Sequence, residues 1–581
     1  MGPKNHATVA PGAIEFHWTR VEGAASYEFE LSDSPDFAKV LLRRIDLDES
    51  GLSLTEALDE GTHYWRVGAV DGAGGRSGFS QVREFSVRQA QDRDTSHLRH
   101  PYLFFSADDI PSIRQRLDTT CAAAWKGILS QAEAALTADM PDEKNILLGS
   151  RKNGGFQKLN MEYGHNMLLP LSFAYAITRD SRYAAKARQI LLFLVGMSKW
   201  TGVQFGDVQA FYPAWTATLE TAMLARHAAP AYDWIYDYLD DDDRARIRAG
   251  LLRLAILPLL QSWCDPRTIK YIPRHQTAAG NWWSVCNGGG GLAALAVINE
   301  ILDARGWVSG FADSIRDFLS YKGGDIFDIH LRAGHGDQDL QRTEPNWYED
   351  GGYEESTGYA HFGLVYSLCF LYALRRVTGE DLSGFINPRA IDFPYYFGYP
   401  SRGGGWPNVA FNDNSGPWSD DILALLTSLT GSGRARYILQ AGWPDIKNIT
   451  AVIAVDTSVP ALPPDDSDRN KLLPDTGWCV CRSGWDTEAS LLAAKFHQGR
   501  GHHDIGQYVI NFRGREFVVD SGTVSYTDPT YGGYGRTSRA HNLVLVDGQD
   551  QIRVDGSILG FAETPGAAIV EADLTDAYQD L

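Results

Sequence analysis

The reading turns on residues 496–549, FHQGRGHHDIGQYVINFRGREFVVDSGTVSYTDPTYGGYGRTSRAHNLVLVDGQ. Three histidines, His497, His502 and His503, fall within seven residues. An alternating apolar and polar run from Gln507 to Asp520 follows, and its period of two marks strand. A Tyr/Gly-rich loop comes next, and His541 opens HNLVLVDGQ, expected as a further strand. His502, Asp520 and His541 offer two imidazoles and a carboxylate, a donor set suited to zinc or a similar divalent ion. Adjacent strands would bring the three together; the bland alternative is unrelated surface histidines.

Outward from this stretch, the pattern stays β-like from Trp478 onward, in GWCVCRSGWD, ASLLAAKFHQ and GAAIVEAD, which predicts an antiparallel β-domain. The chain stops just after a strand-like run, so this last domain is expected to be short or truncated. Between Ser106 and about residue 455 the period changes to that of helices, among them WTATLETAMLARHAAPAYDWIYDYL and TGYAHFGLVYSLCFLYALRRV. Helix follows helix without intervening strands, which predicts paired helices in a solenoid or closed ring. Ser106, followed by Asp108 and Asp109, is the expected N-cap of a helix reaching about Ala138. Residues 10–88 alternate again, with Trp18, Tyr27, Phe29, Leu31, Tyr64, Trp65 and Val67 expected as the inner layer of a small β-sandwich.

At 581 residues the chain is too long for one ordinary domain. Its 44% hydrophobic and 22% charged residues are enough for large cores. No run of about eighteen apolar residues predicts a membrane span, and the amino terminus lacks a signal-peptide pattern. A net charge of −20 argues against nucleic acid as the partner. It leaves room for an acidic polysaccharide held in a local basic cleft. The six cysteines are scattered, and Cys479 and Cys481 share one face of a strand, so no disulfide framework is expected. Nothing in the sequence specifies an oligomer.

Two further patches carry chemistry. RHQTAAGNWWSVCNGGGG (274–291) places Arg274, His275, Asn281, Trp282 and Trp283 ahead of four glycines. Glycine in a helix costs about 1 kcal/mol relative to alanine, so four in a row signal close approach by a neighbouring helix or a ligand. EPNWYEDGGYEESTGYAHFG (344–363) mixes carboxylates with Tyr348, Tyr353 and Tyr359 at the mouth of an apolar helix, where side chains face a cleft.

HHDIGQYVINFRGREFVVDSG, followed by SRAHNLVLVDGQDQ, resembles the C-terminal β-domain of the heparinase II/III-like polysaccharide lyases. YEESTGY resembles that family's catalytic-tyrosine motif, and HPYLFFSADDIPSIRQRL resembles its helical domain. LDEGTHYWRVGAVDGAGGRSGFS is similar to a fibronectin type III module, a spacer or a carbohydrate-contacting platform. The resemblance implies a multidomain α+β chain. A β-sandwich (1–90) would precede a central incomplete (α/α) toroid (98–455) and a C-terminal antiparallel β-sheet domain (470–581).

It also implies roles. Tyr359 matches the catalytic tyrosine, and His502, Asp520 and His541 match a mainly structural metal site, zinc by its donors. Asn281 falls near the family's carboxylate-recognising residue, although it lies 78 residues before Tyr359, a gap ascribed to an insertion at 322–346. Arg500 stands where relatives carry a catalytic histidine, so it is expected to bind the acidic sugar, with Arg274, Trp282 and Tyr348 beside it. His497, His503 or His275 would take over the histidine's part. The implied activity is β-elimination of a uronate polysaccharide such as alginate or a glycosaminoglycan, outside the cytoplasm. A uronate C5-epimerase and a non-catalytic carbohydrate-binding protein are the alternatives on the same scaffold.

Overall fold

The computed structural model describes residues 7–9, 14–18, 21, 23–87, 94–143, 159–201, 213–269, 278–324, 326–328, 340–342, 344–402, 404–413, 416–497, 502–520, 528–564 and 566–579. The N-terminal strands are β1 (Ala7–Val9), β2 (Ile14–His17), β3 (Ala24–Ser32), β4 (Val40–Leu47), β5 (Gly51–Leu54), β6 (Gly61–Asp71) and β7 (Arg83–Val87). They form a five-stranded sheet in the order β1-β7-β6-β3-β4 and a β2–β5 pair. Phe16 from the pair packs at 4.7 Å from Phe29 and 5.6 Å from Trp65 of the larger sheet, so one aromatic core serves both. Trp65 is fully buried, whereas Tyr64, also expected inside, points the other way. Neighbouring residues of a strand face opposite sides, and only one of the two can reach the core. On the outer face Glu28 and Glu30 are covered by Arg43, Arg66 and Arg76.

The helical region includes α1 (Ile110–Asp118), α2 (Ala122–Leu136), α3 (Leu169–Thr178), α4 (Ser181–Gly196), α5 (Leu219–Ile235), α6 (Asn281–Ala296), α7 (Ala304–Ser320), α8 (Thr357–Thr378) and α9 (Asp420–Thr430), together with further helices and helical turns. Ser106 caps the first turn, its N–H donating to Asp109 Oδ2 at 2.8 Å. The helix expected to run to Ala138 is broken at Thr119, whose φ of −128° and ψ of −97° are not helical. Within the expected insertion, β8 (Ile326–Asp328) pairs antiparallel with β9 (Leu340–Arg342).

Helix α6 is buried on every side, and the glycines explain how. A Cβ at Gly288 would lie 2.6 Å from the Tyr366 carbonyl of α8, and one at Gly289 2.5 Å from the Ala222 carbonyl of α5. Gly291 meets the Phe370 ring of α8 in the same way. The glycines therefore serve helix packing. Gly289→Ala gains about 1 kcal/mol of helix propensity but must push back a neighbouring backbone, a misfit of about 1–3 kcal/mol or more. Net destabilisation is expected, read as a lower denaturant midpoint with an unchanged slope.

Beside this core, His100 Nδ1 lies 2.7 Å from Asp233 and Nε2 3.6 Å from Glu300. Burial pulls the His100 pKa down, but hydrogen bonds to Asp233 and Glu300 outweigh it, and the net shift is upward. A raised folded-state pKa gives stability that is fully present below about 6.5 and lost as pH rises through the folded-state value. Melting temperature should accordingly fall over that range in the wild type. The fall should be shallower in His100→Gln.

Helix α8 is, among the described residues, the one helix long and apolar enough to cross a membrane, yet 78% of its most apolar window is buried inside the protein. All six cysteines are free thiols.

The C-terminal strands are β10 (Lys471–Leu473), β11 (Trp478–Arg482), β12 (Ser490–Lys495), β13 (Tyr508–Phe512) and β14 (Arg515–Val518), in an antiparallel sheet of that order. The run from Gln507 to Asp520, read as one strand, is a hairpin. Arg513 (φ 53°) and Gly514 (φ 66°) make its two-residue turn, both left-handed, the turn whose twist suits a hairpin. A second hairpin, β15 (Ser557–Thr564) with β16 (Ala567–Asp573), has Ile558, Val570 and Ala572 packed against Cys479, Ala494 and Phe496 of the main sheet.

Residues 541–549, expected as a strand, form none. The sheet and the helical region share one apolar core: Trp478 packs on Phe393, Phe397 and Phe411. Asp350 clamps the two together by accepting from the backbone of Asp475 (2.8 Å) and Thr476 (2.9 Å) and from the Thr476 hydroxyl (2.7 Å).

Candidate functional site

The sequence 344–356 folds into a loop that carries its carboxylates to the start of α6. Asn346 stitches it in place, accepting from Gly280 N (2.7 Å) and donating to the carbonyls of Ala278 (2.7 Å) and Phe318 (2.9 Å). Glu355 Oε2 accepts from both the backbone N–H (2.7 Å) and the side-chain amide (2.8 Å) of Asn281, the first residue of α6. The Tyr353 hydroxyl points at the same oxygen from 3.4 Å.

The chain then turns through Ser356, whose φ of 88° and ψ of 173° lie in a region reserved almost entirely for glycine and cost a serine about 1–3 kcal/mol. Helix α8 follows, with Tyr359 as its third residue, half-buried at the helix mouth. One turn further on, a Cβ at Gly363 would sit 3.5 Å from the Asn281 Cβ, so α6 and α8 begin side by side. Their first N–H groups give both helix ends a partial positive charge that favours an anion. Asn281 Oδ1, Ser356 Oγ and Thr357 Oγ1 are buried here without hydrogen-bond partners.

A second cluster stands on the β-sheet side. His541 Nδ1 lies 2.7 Å from Asp520 Oδ2, and His502 Nε2 lies 3.1 Å from Asp413 Oδ1. With these ring nitrogens turned to the carboxylates, the other nitrogen of each imidazole faces the space between the two rings. Those two nitrogens, His502 Nδ1 and His541 Nε2, face each other at 3.4 Å. Asp504 lies with them, its Oδ1 bound by the fully buried Lys495 (2.5 Å) and its Oδ2 buried without a partner. Two imidazole nitrogens and a carboxylate oxygen gathered at one point are the ligand types a divalent cation takes. Zinc–nitrogen bonds of about 2.0–2.1 Å at a tetrahedral angle put the two nitrogens roughly 3.3–3.4 Å apart, which fits the observed spacing. The donor set thus suits a divalent ion on His502, Asp504 and His541. Asp520, expected as a ligand, instead hydrogen-bonds the far nitrogen of His541, the outer position that orients a metal-bound imidazole.

The two clusters are connected. The Tyr531 hydroxyl donates to Asp413 Oδ2 (2.9 Å), and its ring lies 6.4 Å from that of His502. Burial and the nearby Asp413 push the Tyr531 phenol well above its ordinary pKa, and Tyr359 lies close enough to add to that rise. Tyr531 thus stands between the histidine pair, which it reaches through Asp413, and the helix mouth that carries Tyr359.

The remaining expected residues distribute differently. His497 bonds the Asp475 carbonyl (3.2 Å), at the clamp made by Asp350. Trp282 packs into an indole cluster, 6.3 Å from Trp215 and 6.4 Å from Trp263. Burial raises the Tyr348 phenol's pKa, and Glu354, Glu344, Asp555 and Asp350 add to it, which is acidic company for an acidic sugar. Arg274, His275 and Arg500 lie outside the described residues. Four site residues were missed by sequence reasoning: Asp504, Asp413, Tyr531 and Glu355. Two had a local signal: Asp504 stands two residues after His502 in the HHD triplet, and Glu355 four residues before Tyr359.

Residues 465–579 match the family model described as heparinase II/III-like, C-terminal. No curated protein sequence matches the chain. Solved structures similar to it include a heparinase III, 12% identical over 82% of this chain and 74% of that one, with a TM-score of 0.47. A second heparinase III is 14% identical over 83% and 75%, with a TM-score of 0.45. A mutant of the heparan sulfate lyase HepC from Pedobacter heparinus is 12% identical over 81% and 73%, with a TM-score of 0.44.

Proposed function

We propose that the protein is a polysaccharide lyase that cleaves a uronate-containing acidic polysaccharide by β-elimination. The observation that carries this reading is the placement of Asn281 and Tyr359 on the converging mouths of α6 and α8. In a uronate, the C5 proton is weakly acidic because the adjacent carboxylate is already charged. The Asn281 amide and the two helix ends stabilise the extra charge that builds on that carboxylate as the proton leaves. Tyr359 serves as the acid and base of the step. The C5–H proton passes to the base, the C4–O4 bond breaks, a C4–C5 double bond forms, and O4 leaves with a proton. Arg500, by sequence position, adds a cation for the sugar.

His502, Asp504 and His541 would hold a divalent ion, zinc by its donors, with Asp520 and Asp413 orienting the imidazoles. When bound, the ion neutralises Asp504 and braces the loops that carry Tyr531 toward the cleft. The helical region acts as an (α/α) toroid, and the N-terminal module as a fibronectin type III-like spacer. A substrate of this kind places the protein outside the cytoplasm.

Incubation with alginate, hyaluronan, chondroitin and heparin-like chains tests the proposal. At least one should yield the absorbance of a new C4–C5 double bond. Incorporation of solvent deuterium at C5 without that absorbance, on all of them, would replace the lyase with an epimerase.

A further inference from the structure

Glu355 is 6% exposed, and its two shortest hydrogen bonds go to one neighbour. A single oxygen binds both the backbone N–H and the side-chain amide of Asn281, which leaves that amide one orientation. Such charge-assisted bonds are stronger than neutral ones. The amide nitrogen carries two hydrogens, so one remains for a ligand. The next residue, Ser356, holds a backbone conformation in which glycine would be relaxed, and its hydroxyl is buried without a partner. Nothing in the turn itself calls for a serine. Strain of this sort persists where the surroundings over-determine it, and here it joins the Asn281 clamp directly to the helix that carries Tyr359.

We propose that Glu355 is a positioning residue that aims the Asn281 amide, and that strained Ser356 sets the spacing between that amide and the Tyr359 phenol. The proposal rests on the lyase reading for its kinetic readouts but not for its structural one.

The test uses Glu355→Ala, Glu355→Gln and Ser356→Gly in the full chain, with hydrogen exchange at the Asn281 amide and kcat and KM on a uronate polysaccharide that the wild type cleaves. In Glu355→Ala, exchange at Asn281 should accelerate and kcat should fall roughly tenfold to hundredfold, with KM changed by no more than about twofold. Glu355→Gln keeps an acceptor oxygen and should recover most of the protection and part of kcat, which a loss of folding would not allow. Ser356→Gly should melt at a higher temperature yet turn over several-fold more slowly. Wild-type kcat in folded Glu355→Ala would overturn the first half of the proposal, and wild-type kcat in Ser356→Gly the second. If the wild type makes no unsaturated product from any uronate chain, the lyase reading has failed, and exchange decides alone. Faster exchange at Asn281 in Glu355→Ala then upholds the positioning role, and unchanged exchange overturns it.

Discussion

Tyr359→Phe is expected to lower the rate of unsaturated-product formation by about 10²–10⁴-fold, the range in which a positioned acid or base contributes. The substitution removes one oxygen at the third residue of α8 and leaves the ring, which packs against the core, in place. Folding should therefore be little affected, and the melting temperature should stay near that of the wild type. KM should also hold, because the phenol acts on protons that move only in the transition state. A loss confined to kcat marks an interaction made only in the transition state. Equal losses in kcat/KM through KM alone would move Tyr359 from chemistry to binding.

Asp504→Ala is expected to have the largest effect on stability. Asp504 and Lys495 are both fully buried and bonded to each other, and Asn412 supplies the other acceptor for the ammonium group. Removing the carboxylate strands a buried cation, which costs about 3–5 kcal/mol. The same change removes one of the three donors gathered at the histidine pair. Two measurements separate these effects. Adding Lys495→Met to Asp504→Ala should restore much of the stability, since a buried pair can be replaced by apolar groups with little loss. Zinc should raise the melting temperature of the chelator-treated wild type but not that of the double variant. If zinc raises both equally, the ion binds elsewhere.

Much of the architecture was legible from period alone. The switch from alternation to helical spacing near Ser106, and back near Trp478, marks where strands give way to helices and return. The failures have local causes. Tyr64 and Trp65 are both large and apolar, and only the pleat decides which faces the core. Arg513-Gly514 hid a turn inside an alternating run because arginine is an unusual occupant of a left-handed position. The four glycines of α6 could have served a ligand, and only the positions of Ala222, Tyr366 and Phe370 assign them to packing.

At the site, the residue types were readable and their ranks were not. Asp520 and Asp504 both stand near the histidines, and the contact with His541 Nδ1 puts Asp520 in the outer position. Asp413 comes from a loop 89 residues before His502 and left no signal in the sequence around it. Glu355 was visible as a carboxylate four residues before Tyr359, but its bond to Asn281 spans 74 residues and belongs to the fold.

The central claim is that this cleft eliminates across the C4–C5 bond of a uronate with Tyr359 as its acid and base. Parallel time courses of wild type and Tyr359→Phe on the same panel of uronate polysaccharides, read as absorbance of the unsaturated product, test it most directly. The account predicts a steady rise for the wild type on at least one substrate and almost none for the variant. A rise of equal rate in both would contradict it.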